Sequence, residues 1–294
     1  MIVITGATGN IGGKLLEELA AGSEALRVVA RHPEKLPPAL LSRVEVVEGS
    51  HGDPNVAARA FEGADAVFWL VTGDPQAESA EAAYSGFTRP VLGAFETLKG
   101  KHVVTVSALG RGWPEPAGHV SATLAMDDLI AATGVHFRAL TCPSLMENLL
   151  RQVHPLAGQG VFFGTLPADQ KEPGCASMDV ARTAAELLTN RHWTGVAEVP
   201  ILGPDDLSCD QMAAILSDVL GRPIRYQSMP EEALGAQLLS YGASPGMAAA
   251  MVEMMIAKRH GIDRIVARTP EARGTTDFRG WCEAVLKPAV QAVA

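Results

Sequence analysis

The stretch Met1-Ile2-Val3-Ile4-Thr5-Gly6-Ala7-Thr8-Gly9-Asn10-Ile11-Gly12 decides the fold of this chain. An apolar run typical of a strand leads into three glycines, and residues 13–20 then have the pattern of an amphipathic helix. Such a strand, turn and helix N-terminus form a cradle in which backbone N–H groups and the helix dipole bind a dinucleotide pyrophosphate. Gly6 permits the turn, Gly9 lets the backbone approach the phosphates, and Gly12 lets the helix pack closely. Contacts are therefore predicted from Gly6, Thr8, Gly9, Asn10, Ile11 and Gly12, and the alternative is a turn that binds nothing.

The residue after the second apolar run, residues 26–30, predicts which dinucleotide is bound. An acidic residue at this point would bind the ribose 2′-hydroxyl of NAD, whereas an arginine suits the 2′-phosphate of NADP. Arg31 lies in this window, and its guanidinium offers a planar fork of donors that Lys35 would supplement with a point charge. The sequence therefore predicts NADP(H) as the cofactor. The alternative is that Arg31 is a solvated residue at the end of a strand.

Composition narrows the class of protein. With 294 residues, of which 47% are hydrophobic, the chain can hold one large α/β domain or a core with a smaller lobe. The balance of 24 basic and 33 acidic residues gives a net charge of −9, which argues against nucleic acid or an anionic membrane as partner. No apolar run approaches the roughly 20 residues that cross a bilayer. Because the first residues already have the pattern of a strand, no signal peptide is expected.

The cysteines and histidines give two further expectations. Four cysteines lie far apart without a CxxC pair, which is typical of reduced thiols in a cytoplasmic protein. Eight histidines show no HExxH or similar ligand spacing, so no metal site is expected.

Strand-like and helical segments alternate through the first half of the chain. The predicted strands are residues 1–5, 26–30, 44–48, 65–71, 102–107 and 136–140, and the predicted helices after the third strand are about 54–62, 77–98 and 120–133. Continuous apolar strands that alternate with helices indicate an α/β fold, a doubly wound parallel sheet of the Rossmann kind. Residues 1–145 are predicted to form an NADP(H)-binding core.

Past residue 145 the alternation breaks. A helix is predicted to open at Ser177, capped by Ser177 or Asp179. Further predictions are a strand at 198–202, a helix from about 207 to Gly221, a strand at 224–228, and helices at 231–240, 245–258 and about 277–286. Residues 146–294 are therefore predicted to form a smaller, mainly helical substrate lobe, in which about 175–205 return to the core.

Several of these segments resemble the NmrA-like atypical short-chain dehydrogenases/reductases. The similar residues are the glycine turn, Arg31, residues 143–149 (PSLMENL), 177–181 (SMDVA), 201–204 (ILGP) and 213–223 (AAILSDVLGRP). The later part is especially similar to the branch that contains ergot-alkaloid-type reductases, and the family also includes NADPH:quinone reductases and NADP-sensing regulators. The resemblance spans nearly the whole chain, and it implies a Rossmann core, a C-terminal lobe and bound NADP(H).

The sequence differs from typical short-chain dehydrogenases at the catalytic pair of residues. Typical short-chain dehydrogenases use Tyr-x-x-x-Lys, in which the lysine lowers the tyrosine pKa so that the phenol exchanges a proton with the substrate. None of the three tyrosines here has a lysine four residues later. In the expected segment, His119 replaces the tyrosine and Thr123 the lysine. His119 is therefore a candidate proton donor, with a solvent-facing helix start as the alternative, and Thr123 is expected to bond a ribose hydroxyl.

The family pattern places further residues around the cofactor. Thr72, Gly73 and Ser107 are expected beside the ribose and nicotinamide, with Ser107 as a second candidate proton donor. Pro143 and Ser144 are expected to flank the nicotinamide ring from the far side.

Two other features of the sequence are a Ser-His pair and a stripe of methionines. Ser50-His51 stands where many relatives place an aspartate near the adenine. Met247, Met251, Met254 and Met255 form a helical stripe, which is either a flexible core or one wall of an apolar substrate pocket.

Three functions remain open from the sequence. The first is an NADPH-dependent oxidoreductase that delivers hydride to a hydrophobic small molecule such as a quinone, enone, iminium or ketone. The second is an NADP(H)-sensing regulator without turnover, and the third is a non-redox enzyme, such as a cyclase or isomerase, on the same fold. The sequence leaves a monomer and a homodimer equally open.

Overall fold

A parallel sheet of seven strands forms the centre of the molecule. The computed structural model describes residues 1–269 and 274–293. The strands of the main sheet are β1 (Ile2–Thr5), β2 (Leu26–Ala30), β3 (Val44–Glu48), β4 (Ala66–Trp69), β5 (His102–Ala108), β6 (His136–Cys142) and β10 (Val196–Pro200). Their order is β10-β6-β5-β4-β1-β2-β3, and all neighbours are parallel. The predicted doubly wound fold is therefore confirmed.

Helices cover both faces of this sheet. The helices of the core are α1 (Asn10–Ala20), α2 (Pro38–Leu41), α3 (Pro54–Phe61), α4 (Leu92–Glu96), α5 (His119–Ala131) and α7 (Ser177–Thr189). One hydrophobic core joins the sheet to α1 and α7, and a second joins the opposite face to α3, α4 and α5. The central strands β1 and β4 are apolar and buried along their whole length, which fits a sheet that is covered on both faces.

A helical segment with two irregular turns precedes α4. A π-helical turn, Ala82–Gly86, and a 3-10 turn, Arg89–Val91, lie in the region that the sequence predicts as one helix over about 77–98. Further 3-10 turns are Pro33–Lys35, Met146–Gln152 and Ile262–Arg264, and a second π-helical turn is Cys282–Leu286. The prediction of helix there is confirmed, but its regularity is not.

The C-terminal part adds helices and two small sheets. Its helices are α6 (Val153–Gln159), α8 (Cys209–Leu220), α9 (Glu231–Ser240), α10 (Pro245–Arg259), α11 (Phe278–Trp281) and α12 (Lys287–Gln291). Its strands are β7 (Ser144–Leu145), β8 (Val161–Gly164), β9 (Glu172–Cys175), β11 (Asp206–Leu207) and β12 (Arg225–Ser228), arranged as β11-β9-β7 and β12-β8. A separate hydrophobic core lies under α8 and the tail helices.

The start of α7 differs from the sequence prediction. Ala176 occupies the N-cap, and no side chain of the helix caps it, so the prediction of Ser177 or Asp179 as cap is wrong. The buried carboxylate of Glu147 accepts a hydrogen bond from the backbone N–H of Ser177 at 3.0 Å instead. Asp179 accepts from the backbone N–H of Thr276 at 3.0 Å. The helix N-terminus therefore receives its hydrogen-bond acceptor from a distant segment of the chain. A local sequence pattern does not predict such a contact.

Helix α10 crosses the N-terminus of α5 at very short range. A Cβ added at Gly118 would lie 1.9 Å from the carbonyl oxygen of Ala250, and one added at Gly246 would lie 1.9 Å from that of Glu78. Gly118 has a φ of +53°, so both space and backbone conformation require glycine there. These contacts fix α10 over the edge of the sheet that carries the predicted site. In the described part of the chain, no helix has the length and apolarity that crossing a membrane requires.

Candidate functional site

The glycine turn has the geometry that the sequence predicts. Gly6 adopts a φ of +68°, and its carbonyl oxygen accepts a hydrogen bond from the N–H of Gly9 at 2.9 Å. A Cβ at Gly12 would lie 2.3 Å from that same oxygen, so only glycine lets α1 pack this closely. Thr8, Gly9 and Asn10 are exposed, while Ile11 is buried. The turn therefore presents an open backbone surface.

The first turn of α1 fits an anionic ligand. Gly9 is its N-cap, no side chain caps it, and its first turn contains no acidic residue. Lys14 lies one turn later, and its ammonium group hydrogen-bonds the side chain of Asn10. Free N–H groups, the helix dipole and a nearby cation are the features that bind a phosphate. The residues present therefore fit the pyrophosphate of a dinucleotide.

Arg31 and His51 lie close together at the ends of β2 and β3. Arg31 is exposed and has no hydrogen bond or ion pair within residues 1–269 and 274–293. Burial lowers the pKa of His51 to about 4, and the charge of Arg31 contributes to that shift. The His51 ring packs edge-on against Trp69 at 4.7 Å and Phe87 at 4.8 Å. Lys35 is exposed in the 3-10 turn that follows Arg31, so both cations face solvent, and Arg31 does so close to a neutral imidazole.

The other predicted contacts lie at the same edge of the sheet because all its strands are parallel. Thr72 is exposed just after β4, and Gly73 follows with a φ of +66°. After β6, Pro143 is buried, whereas Ser144 is exposed and begins β7. Ligands of such folds bind at the carboxyl ends of the strands. The structure thus brings these residues to one edge.

A tyrosine that the sequence analysis did not select lies among the predicted residues. Tyr84 comes from the π-helical turn, and its hydroxyl oxygen would lie 3.2 Å from a Cβ at Gly73. Its ring stacks edge-on against His119, with 5.9 Å between centroids. Burial raises the pKa of Tyr84, and a hydrogen bond with the side chain of Thr123 opposes that increase. Gly73, His119 and Thr123 therefore surround the phenol of Tyr84. The Tyr-x-x-x-Lys pattern does not identify this tyrosine, because no lysine stands four residues after it.

His119 is the first residue of α5 and is half-buried. Burial lowers its pKa below 6.5, and a hydrogen bond with the backbone of Met247 opposes the shift. Its Nδ1 is buried and, among the residues that the structure describes, has no hydrogen-bond partner. His119 is therefore mainly neutral at pH 7, and its unpartnered ring nitrogen can take up a proton as pH falls.

The hydroxyl of Ser107 points toward a buried carboxyl group of α5. It donates a short hydrogen bond to Asp127, and the hydroxyl of Thr105 donates to the other oxygen at 2.9 Å. Burial raises the pKa of Asp127 to about 7, and the charge of Asp128 adds to this, while both hydroxyls and Arg111 oppose it. Ser107 is thus engaged with α5, and its role as a proton donor stays a prediction.

The raised pKa of Asp127 predicts how stability depends on pH. The unfolded carboxyl group titrates near 3.9, so the folded chain binds more protons between about pH 4 and 7, and this contribution to stability is lost as pH rises. The loss amounts to about 4 kcal/mol at 1.36 kcal/mol per unit. His51 acts in the opposite direction, because its lowered pKa makes stability rise between about pH 4 and 6.5.

Between about pH 4 and 6.5 these two contributions oppose each other in the wild type, so in Asp127→Asn the free energy of unfolding should rise over this range by the His51 contribution alone. Urea unfolding across this range measures it. Asp218→Asn, which removes an exposed carboxylate paired with Arg279 at 3.0 Å, is the control and should keep the wild-type slope. If the Asp127→Asn and wild-type curves run parallel, Asp127 does not titrate as stated.

The methionines of the helical stripe pack in two different hydrophobic clusters. Met247 is buried with Ala122 and Ala250, and Tyr84 packs against this group. Met254 packs elsewhere, on the cluster of Val120 and Ile262. Only the first end of the stripe therefore forms an apolar wall beside the tyrosine.

Comparisons with known proteins agree with this geometry. A family model described as NAD(P)H-binding matches residues 6–191. The (4-alkanoyl-5-oxo-2,5-dihydrofuran-3-yl)methyl phosphate reductase of Streptomyces griseus is 29% identical over 288 residues, 96% of each chain. Quinone oxidoreductase 2 of Escherichia coli is 24% identical over 263 residues, 89% of each chain.

A solved structure shares the fold. The NADPH-dependent quinone oxidoreductase from Escherichia coli, complexed with NADPH, superimposes with a TM-score of 0.78 at 22% identity, covering 100% of this chain and 99% of that chain. Together with the family match, this confirms the fold and the nucleotide class predicted from the glycine turn.

Proposed function

We propose that this chain, which belongs to the NAD(P)H-binding family and is an NAD(P)H-dependent oxidoreductase, transfers hydride from NADPH to an apolar electrophile. The acceptor classes are a quinone, an enone, an iminium ion or a ketone. The observation that carries the proposal is the uncapped, acid-free start of α1 behind the glycine turn, at the edge where the other site residues meet.

Different residues at this edge would bind different parts of the cofactor. The backbone of Gly6, Thr8, Gly9, Asn10, Ile11 and Gly12 would hold the pyrophosphate. Arg31 and Lys35 would bind the 2′-phosphate, which is why NADP(H) is preferred to NAD(H). Thr72, Gly73, Ser107 and Thr123 would line the ribose and nicotinamide, and Pro143 and Ser144 the far side of the ring. When bound, NADPH supplies the hydride.

The acceptor would lie against the apolar group around Met247, with His119 as the proton donor and Ser107 as the second candidate. Quinones and iminium ions need little help from an acid, which suits a site with a mainly neutral histidine. The names of the relatives support these classes, since one reduces an oxo-dihydrofuran phosphate and the other a quinone. The proposal keeps residues 1–145 as the NADP(H)-binding core and 146–294 as the substrate lobe, in which α7 and β10 return to the core. It also keeps the cytoplasm as the compartment, on the spacing of the four cysteines.

A panel of acceptors tests the function. The chain is mixed with NADPH carrying deuterium at the transferable position and with a quinone, an unsaturated lactone, an iminium salt or an aryl ketone. Loss of nicotinamide absorbance and deuterium in the product would establish hydride transfer. NADPH binding without oxidation by any acceptor class would favour the sensing regulator, and label-free conversion would favour a non-redox enzyme.

Arg31→Ala should weaken NADPH binding and leave NADH binding nearly unchanged. The expected cost is about 1.5–3 kcal/mol, the usual value for a hydrogen bond to a charged group. Calorimetric titration of both cofactors measures it. Arg59→Ala removes an exposed arginine from α3 and serves as the control. Equal wild-type affinities for NADPH and NADH would contradict the assignment of Arg31.

A further inference from the structure

Tyr84 occupies a defined place at the cofactor edge although it belongs to no predicted motif. Its ring is half-buried beside His119, and its hydroxyl lies against Gly73, directly after β4. The residue comes from a π-helical turn, a conformation that is frequent at functional sites. The phenol thus reaches the same edge as the glycine turn and Thr72.

The phenol of Tyr84 adjoins a hydroxyl that is held in place by α5. The hydroxyl of Thr123 donates to the backbone carbonyl of His119 at 2.8 Å. The Thr123 side chain also interacts with the phenol and opposes the rise of its pKa. The phenol oxygen carries two lone pairs, with which it can accept a hydrogen bond from a further donor.

We propose that Tyr84 is a cofactor-positioning residue whose phenol oxygen accepts a hydrogen bond from the hydroxyls of the ribose on the nicotinamide side of NADPH. The inference rests on the proposed function, and it places Tyr84 beside Thr123, the residue that stands where typical short-chain dehydrogenases have the lysine.

The electrostatics of the cluster favour positioning over acid catalysis. Burial raises the pKa of Tyr84, and the side chain of Thr123 opposes only part of that increase. The phenol therefore stays neutral, and it can both donate and accept hydrogen bonds at physiological pH.

Tyr84→Phe tests the proposal by binding alone. The ligands are NADPH, 2′-phospho-ADP-ribose, which lacks only the nicotinamide, and adenosine 2′,5′-bisphosphate, which also lacks the second ribose and the phosphate attached to it. We expect about five- to tenfold weaker binding of the first two, the usual effect of one hydrogen bond, and unchanged binding of the third. Thr123→Val, which removes the hydroxyl beside the phenol, should change the same two affinities in the same direction.

Tyr226→Phe is the matched control. It also removes a half-buried phenol hydroxyl, one that donates to the carbonyl of Leu166 at 2.8 Å in the C-terminal part, and it should leave all three affinities unchanged. Thermal unfolding checks that each variant is folded.

Two results would overturn the inference while leaving the proposed function intact. Unchanged affinities in Tyr84→Phe would show that the phenol makes no contact with the cofactor. A loss for NADPH alone would place the phenol at the nicotinamide ring rather than at the ribose. If the wild-type chain binds none of the three ligands, the proposed function itself fails, and the inference with it.

Discussion

Replacing Gly9 by valine is expected to abolish NADPH binding in a chain that still folds. Gly9 is exposed and has a φ of −98°, which a side chain tolerates, and its added Cβ would lie 3.3 Å from the Gly6 carbonyl oxygen. The branched side chain would occupy the space that the phosphates need in front of the α1 N–H groups. Affinity should fall by at least about 100-fold, or roughly 3 kcal/mol, in a calorimetric titration, with little change in the thermal midpoint.

Substitutions at two neighbouring glycines distinguish an effect on cofactor binding from an effect on folding. Gly13→Ala adds a Cβ at 3.4 Å from the Ala7 carbonyl oxygen, an ordinary contact, and should bind NADPH normally with slightly higher stability. Gly12→Ala would put a Cβ 2.3 Å from the Gly6 oxygen and should lower stability. Normal NADPH binding by Gly9→Val would mean that the cofactor does not lie across this turn.

The second large effect is expected in His119→Phe. If His119 donates the proton, turnover of a ketone should fall by roughly 10²–10⁴, the usual contribution of a positioned general acid. The wild-type rate should decrease as pH rises through the His119 pKa, which burial holds below 6.5, because only the imidazolium form donates. The variant should lose this dependence, and NADPH affinity should barely change.

Quinone reduction provides the internal comparison, since a quinone needs little acid and its rate should fall far less. His154→Phe, at an exposed position of α6, controls for the loss of an imidazole. An unaltered ketone rate and pH profile in His119→Phe would show that hydride transfer proceeds without this residue.

The parts of the fold with local signals could be predicted from the sequence. The strands at 26–30 and 44–48 and the helix at 231–240 are observed with the predicted bounds, because valine-rich runs mark the strands and Pro230 directly precedes the helix. The end of α8 at Gly221 also follows from one residue, which adopts a φ of +67°. In contrast, β9 contains a proline and a glycine that are typical of a turn, and its pairing with β7 and β11 makes it a strand.

In the candidate site, too, only the residues with a local sequence signal could be predicted. The glycine turn and Arg31 are recognisable because each acts within a few residues of its own strand. The surroundings of Tyr84 are not, because Gly73 and Thr123 reach it from two other elements that only the folded chain brings together. The same holds for Asp127, because burial in the folded chain raises its pKa and the hydroxyls of Ser107 and Thr105 in the neighbouring strand oppose the increase.

The π-helical turn at Ala82–Gly86 has an evolutionary consequence. Such a turn holds one residue more than an α-helical turn, and each residue of a helix advances the side chains by about 100°. Deleting one residue within it would restore a regular helix and rotate the phenol by about a quarter turn, away from Gly73 and Thr123. Substitutions alone cannot produce that shift in phase. The placement of Tyr84 is therefore gained or lost by an insertion or a deletion, and a tyrosine in a relative without the extra residue would not be its equivalent.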